Sequence, residues 1–436
     1  MGDLFAGIKR KTNLLLKRWL RWLRPGIGVK RWLLLIAIGL LLFSYFLFLG
    51  ISEDHGLLVE VPIVHIPNSL GVRMVLLVSS VFFIGYGFYR FYHALMRPFI
   101  KPGKTVLDTL SNYQKKEKGP RIVTLGGGTG LSTLLRGLKQ YSHNLTAIVT
   151  VADDGGSSGQ LRQNLGILPP GDIRNCLAAL SNDEELLTQL FQYRFGERAG
   201  VNGHSLGNLL ISALADITGS FEEAVAESGR VLAIRGRVLP STLHDVSLVA
   251  EIESKEKQRI INVAGESSIP LTEGKIRRLW IEPSNPLPYP PAVQAILNAN
   301  LIVLGPGSLY TSILPNLLVP EIVEAINFSK ALKFFICNVA NEHGETDGYH
   351  CIDHVRVIEQ HLADIHFDVI VCNNNFEPKL PKGVEWVLPD VQLEEQYSIY
   401  YAGLADKEFP WRHDTQKLAE VVIDLLEART GPLNKS

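Results

Sequence analysis

RIVTLGGGTGLSTLLRGL, residues 121–138, decides the fold. Arg121 to Leu125 is a short run of β-branched and apolar residues, the composition of a buried strand. Five residues of glycine and threonine follow (Gly126, Gly127, Gly128, Thr129 and Gly130), then Leu131, Leu134, Leu135 and Leu138 at helical spacing. A strand that turns through glycines straight into a helix aims backbone N–H groups and a helix N-terminus at whatever lies above the turn. That is an arrangement suited to phosphate. Glycine is required where a Cβ would block close approach or where φ must be positive. No lysine follows the last glycine, so the turn is not a Walker A loop.

Working outward, Leu145 to Ala152 (LTAIVTVA) predicts the second strand of a βαβ unit. It runs into Asp153-Asp154-Gly155-Gly156-Ser157-Ser158-Gly159, which places a pair of carboxylates roughly twenty residues beyond the glycines, where ribose hydroxyls or a bound metal are met in Rossmann-type sites. Pro169 to Asn175 (PPGDIRN) opens a helix over 173–180, with Asp172 as its predicted N-cap and a ligand role open for Arg174 and Asn175. GHSLG at 203–207 matches the serine-hydrolase pattern, but no buried strand precedes the serine. The segment is instead a polar helix start offering Ser205 or Asn208 to a ligand.

LIVL (301–304) and Gly305-Pro306-Gly307-Ser308 repeat the strand–glycine–helix scheme in the C-terminal half. KFFICNV (333–339) and DVIVC (368–372) are further strands, each ending in Asn-rich or Gly-rich turns. Several strands whose carboxyl ends all lead into such turns predict an α/β fold with a Rossmann-like, doubly wound, mostly parallel sheet and one ligand crevice. Residues 254–272 are expected in a β-rich excursion. Cys176, Cys337, Cys351 and Cys372 show no CxxC spacing and read as buried thiols of a reducing compartment.

The N-terminal third has a different chemistry. Trp32 to Ile51 holds twenty residues without a charge, and Met74 to Tyr89 another sixteen that Leu70 to Val72 can extend. Residues 1–31 carry nine Lys or Arg against one acid, and Arg90, Arg97, Lys101 and Lys104 follow the second run. The loop at 52–69 holds Glu53, Asp54 and Glu60 and no Lys or Arg. The positive-inside rule then puts both termini in the cytoplasm, the chain crossing the cell membrane twice and touching its lipid. Residues 8–24 could lie as an interfacial helix or serve as a stop-transfer cluster. The expected organisation is a basic cytoplasmic segment (1–31), a two-helix anchor (32–99), a linker (100–119) and a binding domain (120–436).

Of the 43 basic and 44 acidic residues, 34 and 43 lie beyond residue 31. An acidic globular part argues against nucleic acid as a partner.

GGGTGLSTLLRGLK, TVADDGGSSGQLR, PPGDIRNCLAAL, GHSLGNLLISAL and LGPGSLYTSILPNLL, in that order, resemble the gluconeogenesis factor family (YvcK-like) within the 2-phospho-L-lactate transferase (CofD-like) superfamily. The resemblance implies a UDP-sugar ligand such as UDP-N-acetylglucosamine and a role in cell shape and envelope metabolism. An unidentified protein partner in envelope synthesis is expected, and a homo-oligomer is one open assembly state. Carried over by motif, Gly126 to Gly130, Asp153, Asp154, Asn208, Gly305, Gly307 and Ser308 form the ligand site, with Asp153 and Asp154 as the metal candidates. The family's turn reads approximately Thr-Gln-Pro-Gly-Glu-Thr, where this chain has Asn341-Glu342-His343-Gly344-Glu345-Thr346, and the membrane helices are an addition to its usual soluble form. Two functions follow. One is a non-catalytic UDP-sugar-binding regulator, favoured because no nucleophile–base pair shows in the sequence. The other is a Mg²⁺-dependent transferase of a phosphate-linked group.

Overall fold

The computed structural model describes residues 30–54, 69–96, 115–181, 185–196, 203–254, 259–362 and 365–431. The basic segment before Lys30, the loop at 55–68 and the linker at 97–114 lie outside the described residues. The chain divides into two compact units, Met1–Asn112 and Tyr113–Ser436.

The first unit holds two helices, Lys30–Asp54 and Leu70–Met96. The second is longer than the sixteen-residue uncharged run within it, because Arg73 and Arg90 are accommodated inside the helix. Spans Lys30–Leu49 and Leu70–Leu95 are long and apolar enough to cross a bilayer, with mean hydropathies of 2.6 and 1.8. Small residues bring the pair together: a Cβ on Gly39 would lie 2.7 Å from Ile84, and one on Gly87 would lie 2.7 Å from Ile36. Ser80 is fully buried and donates to the Leu77 carbonyl at 2.8 Å, so the polar group in the seam is satisfied within its own helix. At the end of the pair, Arg90 stands over the Trp32 ring at 4.5 Å.

The second unit is built on a seven-stranded sheet of order β10-β9-β8-β7-β1-β2-β3, every neighbouring pair parallel. Its strands are β1 (Ile122–Gly126), β2 (Leu145–Val149), β3 (Arg237–Pro240), β7 (Leu301–Leu304), β8 (Leu332–Ile336), β9 (Val369–Asn373) and β10 (Ile399–Ala402). All residues of β1, β2, β7 and β9 are buried, as a parallel sheet covered on both faces requires. A three-stranded antiparallel sheet, β4 (Ser247–Ser254), β5 (Arg259–Ala264) and β6 (Gly274–Glu282) in order β5-β4-β6, forms the excursion between β3 and β7.

Strand order reverses between β1 and β7, which pair from Ile122↔Leu301 to Leu125↔Leu304. The chain after β1 turns toward β2 and β3; the chain after β7 turns toward β8, β9 and β10. A crevice outside the carboxyl ends of the strands opens at such a switch point, and both glycine turns begin there.

Residues 115–119, read from sequence as linker, are tied to this sheet. The Lys116 carbonyl accepts from the N–H groups of Gly119 and His143, and Asn144 Nδ2 donates to the carbonyls of Glu117 and Gly119 at 2.9 and 2.8 Å.

Candidate functional site

The glycine turn starts the helix Gly128–Leu138 from an extended N-cap, Gly127, which has no side chain to cap it. Gly128 has φ +59, a conformation glycine adopts freely and branched residues scarcely at all. A Cβ on Gly130 would stand 2.5 Å from the Pro306 carbonyl oxygen, so the two glycine turns approach as closely as backbone allows. Asn338 clamps the second turn, donating from Nδ2 to the Gly307 carbonyl at 3.1 Å and accepting from the Gly307 N–H at 3.4 Å. Asn316 Nδ2 donates to the carbonyls of Gly126 and Ser312, at 2.9 and 2.8 Å, and so locks the end of β1 to the chain that follows β7.

Above these turns lies a cavity of about 460 Å³, within the size range of small-molecule sites. Gly127 to Gly130 form one wall, Pro306 to Ser308 another, and Asn338 to Glu342 a third; Trp411, Arg412 and His413 close it from the C-terminal segment. The helix starts facing this region lack side-chain caps: Gly127, Gly155, Pro170 and Ser308 make no capping bond. Helix starts elsewhere are mixed: Ser205, Ser220 and Asp414 cap theirs, whereas Tyr289 and Val319 do not. In place of a side chain of their own, two of the starts facing the cavity meet a carboxylate from another element: the Gly128 N–H bonds Asp172, and the Tyr310 N–H donates to Glu345 at 3.2 Å. The positive dipole ends there favour negative charge.

The same cavity is lined by carboxylates. Asp153 accepts from the Gly155 N–H at 2.9 Å, and burial pushes its pKa up against that bond. Asp172 is raised to about 7 by burial and by repulsion from Asp153, while the Gly128 N–H bond opposes the rise. Glu266, from the loop after β5, is raised to about 8 by burial first and by Asp153 next. Glu342 is also raised by burial. Glu345 is raised to about 8, chiefly by burial, although Tyr310 N–H and Thr311 Oγ1 donate to it at 3.2 and 2.8 Å. These acids are held where their charge is poorly solvated, and an incoming cation would relieve them. Among the described residues no three of these carboxylates bring oxygens within 4.8 Å of one another. The wall therefore suits an ion such as Mg²⁺ that takes one or two carboxylates and completes its shell with water and phosphate oxygens.

Two arginines and a histidine stand near these elements. Arg412 lines the cavity, its guanidinium carbon 5.6 Å from the Phe409 ring centre. Arg174 is buried with no partner on Nε or Nη1 among the described residues, its Nη2 donating to Asn175 Oδ1 at 2.8 Å. His413 is held neutral by burial, its pKa lowered to about 4, and its Nε2–H donates to the Cys337 carbonyl at 3.2 Å.

The sequence-derived site residues divide. Gly127, Gly128, Thr129, Gly130, Asp153, Gly307 and Ser308 share the cavity wall. Gly126 is the last residue of β1, its carbonyl committed to Thr150 N–H and Asn316. Gly305 (φ +79) sits behind the wall and shapes the second turn. Asp154 Oδ1 accepts from Ser267 N–H at 2.9 Å and fastens the acidic loop to the segment after β5, beside the cavity-lining Glu266. Asp172 is the second residue of the helix Gly171–Leu180, not its N-cap, which is Pro170. Ser205 is wholly buried, and its Oγ accepts from the Asn208 N–H as the N-cap of the helix Leu206–Thr218. Asn208 Nδ2 donates to Ser157 Oγ at 3.0 Å, leaving its buried Oδ1 without a partner.

Asp172, Glu266, Glu342, Arg412 and His413 were missed as site residues. The proline-flanked helix start at Asp172 and the altered turn at Glu342 were visible signals; nothing in the sequence marks Glu266. A hydroxyl–imidazole pair was missed too: Ser157 Oγ lies 2.8 Å from His204 Nδ1, though neither residue lines the cavity.

Residues 122–430 match the family described as 2-phospho-L-lactate transferase CofD. The gluconeogenesis factor of Bacillus subtilis (strain 168) is 46% identical over 317 residues, covering 71% of this chain and 98% of that protein. A gluconeogenesis-factor relative from Nostoc sp. (strain PCC 7120) is 42% identical over 438 residues, 95% of this chain and 94% of its own length. That alignment leaves too few residues outside it to omit both apolar helices. The crystal structure of a UPF0052 family member from Bacillus halodurans superposes with a TM-score of 0.65 at 44% identity, covering 70% of this chain and 99% of the other.

Proposed function

This chain belongs to the CofD family, on the branch of the gluconeogenesis factors, and from that premise we propose that it is a membrane-anchored regulator whose cavity binds a UDP-sugar such as UDP-N-acetylglucosamine. One observation carries the reading. An uncapped helix start at Gly127 and Gly128 opens into a cavity of about 460 Å³ at the point where strand order reverses. A diphosphate set there would accept from backbone N–H groups of the glycine turn, competing with Asp172 for that of Gly128, and Arg412 would supply a counter-charge. Asp153 with Asp172 or Glu266 would hold a Mg²⁺ ion, which would supply positive charge to the diphosphate and relieve an acidic wall whose charge burial disfavours. Ribose hydroxyls have acceptors in the same carboxylates.

The two apolar helices support an anchored protein, and the basic flanks in the sequence support a cytoplasmic binding domain. A receptor for an envelope precursor held at the membrane would report supply where the precursor is consumed. Its protein partner there is unidentified.

The acidic wall favours a second reading, a Mg²⁺-dependent transferase of a phosphate-linked group, because a bridging metal would also stabilise charge on a departing phosphate. The two differ in what happens to bound ligand. Purified protein is incubated with UDP-N-acetylglucosamine with and without Mg²⁺, and the nucleotide is followed by mass spectrometry. Intact, bound nucleotide fits the regulator; Mg²⁺-dependent turnover fits the transferase; absence of binding contradicts both.

A further inference from the structure

Three of the four cysteines, 35 positions apart along the chain from first to last, converge on one point. Cys337 follows β8 directly, Cys372 lies within β9, and Cys351 opens the helix Cys351–His361. All three are buried, at 0, 1 and 0% exposure for Cys337, Cys351 and Cys372, and their sulfurs all lie within 4.8 Å of one another. No disulfide joins them.

One buried cysteine is adequately explained as a small apolar side chain filling the core. Three from separate elements, with sulfurs in mutual contact, present a ligand set. We propose that Cys337, Cys351 and Cys372 form a three-sulfur binding site for a thiophilic d¹⁰ cation, copper(I) or zinc(II). A metal–sulfur bond is about 2.3 Å, so three sulfurs spread around one ion stand roughly 4 Å apart, a spacing this cluster accommodates without moving backbone. Thiolate ligands select such soft cations over Mg²⁺ or Ca²⁺.

Rigid elements set the spacing. The Cys337 N–H donates to the Val371 carbonyl at 3.0 Å, continuing the β8–β9 ladder, and the Cys351 N–H donates to the Leu388 carbonyl at 2.9 Å. Cys351 stands at a helix N-terminus, where the dipole favours the thiolate a metal needs. One turn along, His354 is buried, and its Nδ1–H donates to the His350 carbonyl at 3.0 Å. That bond selects the tautomer whose Nε2 carries a lone pair, and Nε2 has no partner among the described residues. Copper(I) is satisfied by three sulfurs; zinc takes a fourth ligand, and among the described residues no histidine nitrogen joins the three sulfurs within 4.8 Å, so His354 would have to move to supply it.

The site would act on its surroundings. Cys337 and Cys351 bracket residues 338–350, the stretch that carries Asn338, Asn341 and Glu342 to the cavity wall. A cation joining both ends of this stretch to β9 would fix its path, and through it the affinity for nucleotide-sugar. That coupling rests on the ligand proposed above; metal binding itself does not.

The full-length protein, purified in detergent under reducing conditions and stripped with a chelator, is titrated with copper(I) supplied as its acetonitrile complex and separately with Zn²⁺, without nucleotide. Uptake of one ion per chain is expected, with an ultraviolet sulfur-to-copper charge-transfer band and a rise in melting temperature. Cys372→Ser and Cys351→Ser should each lose the ion while circular dichroism shows a folded protein; Cys176→Ser, at a cysteine outside the cluster, should retain it. The proposal is overturned if the wild type takes up neither ion, or if uptake survives in both folded serine variants. An intact mass two hydrogens short, showing a disulfide within the cluster of the reduced preparation, would also overturn it. Nucleotide-sugar titration of the loaded and stripped protein then tests the coupling alone.

Discussion

Two glycines of the phosphate turn, Gly128 and Gly130, two positions apart, demand glycine for different reasons, and that difference is measurable. Gly128 has open space around a notional Cβ, the nearest atoms being Asp172 Oδ1 and Ser312 Oγ at 3.8 Å, but its φ of +59 excludes branched residues. Gly128→Val should therefore abolish UDP-sugar binding by refolding the turn. Gly130 has ordinary helical backbone and no space, since its Cβ would meet the Pro306 carbonyl at 2.5 Å. Gly130→Ala should force the two turns apart, weakening binding and lowering the melting temperature together. Asp172 makes a pH-dependent prediction. Its folded pKa, raised to about 7 by burial and by Asp153, lies above the unfolded value of about 3.9. The folded state then binds more protons than the unfolded state between those values, so its stability falls as pH climbs from about 4 to about 7. Glu266, raised to about 8, extends the fall upward. Asp172→Asn should flatten the decline in ligand-free protein while weakening Mg²⁺-dependent nucleotide binding; melting curves from pH 5 to pH 8 read the first effect and calorimetry the second.

At the level of elements, the crevice depends on fastening β1 to the chain after β7, and Asn316 does this from a fully buried position. Asn316→Ala removes the bond to the Ser312 carbonyl and one of the two to the Gly126 carbonyl, which keeps Thr150 N–H, and the two lost buried bonds together cost about 1–3 kcal/mol. Chemical denaturation should show a loss in that range, and nucleotide binding should weaken because the glycine turn loses its anchor. The elements that carry the site were legible in the sequence because each is a local signal. An apolar run followed by glycines and a helical repeat marked β1, β2 and β7, and polar turns marked the ends of β8 and β9. β3 and β10 were not read, each being four residues long and without a distinctive turn. The acidic wall was legible only in Asp153, because Asp172, Glu266 and Glu342 reach the cavity from three separate connections whose meeting is a property of the folded sheet. Cysteine spacing correctly pointed to buried thiols without a disulfide, but it could not show the convergence of three of them: absence of CxxC excludes a local motif and says nothing about sulfurs gathered from β8, β9 and a helix.

For the molecule as a whole, the division at Asn112 and Tyr113 separates an apolar helical pair from a sheet domain with its own core. Residues 115–119 belong with the sheet, because Lys116 and Glu117 offer their carbonyls to His143 and Asn144. A truncation beginning at Tyr113 is expected to be soluble and to bind ligand as the full chain does, whereas one beginning at Pro120 should melt at a lower temperature. A reporter fused after Ser436 should be cytoplasmic and one inserted at Asn68 external; the reverse would contradict the anchoring proposed here. The central claim is that the glycine turn at the reversal of strand order holds a nucleotide diphosphate, and calorimetric titration of the full-length protein with UDP-N-acetylglucosamine in Mg²⁺ tests it most directly. Saturable binding of one ligand per chain, abolished in folded Gly128→Val, is the predicted result. No heat of binding in the wild type, or unchanged affinity in the variant, would contradict it.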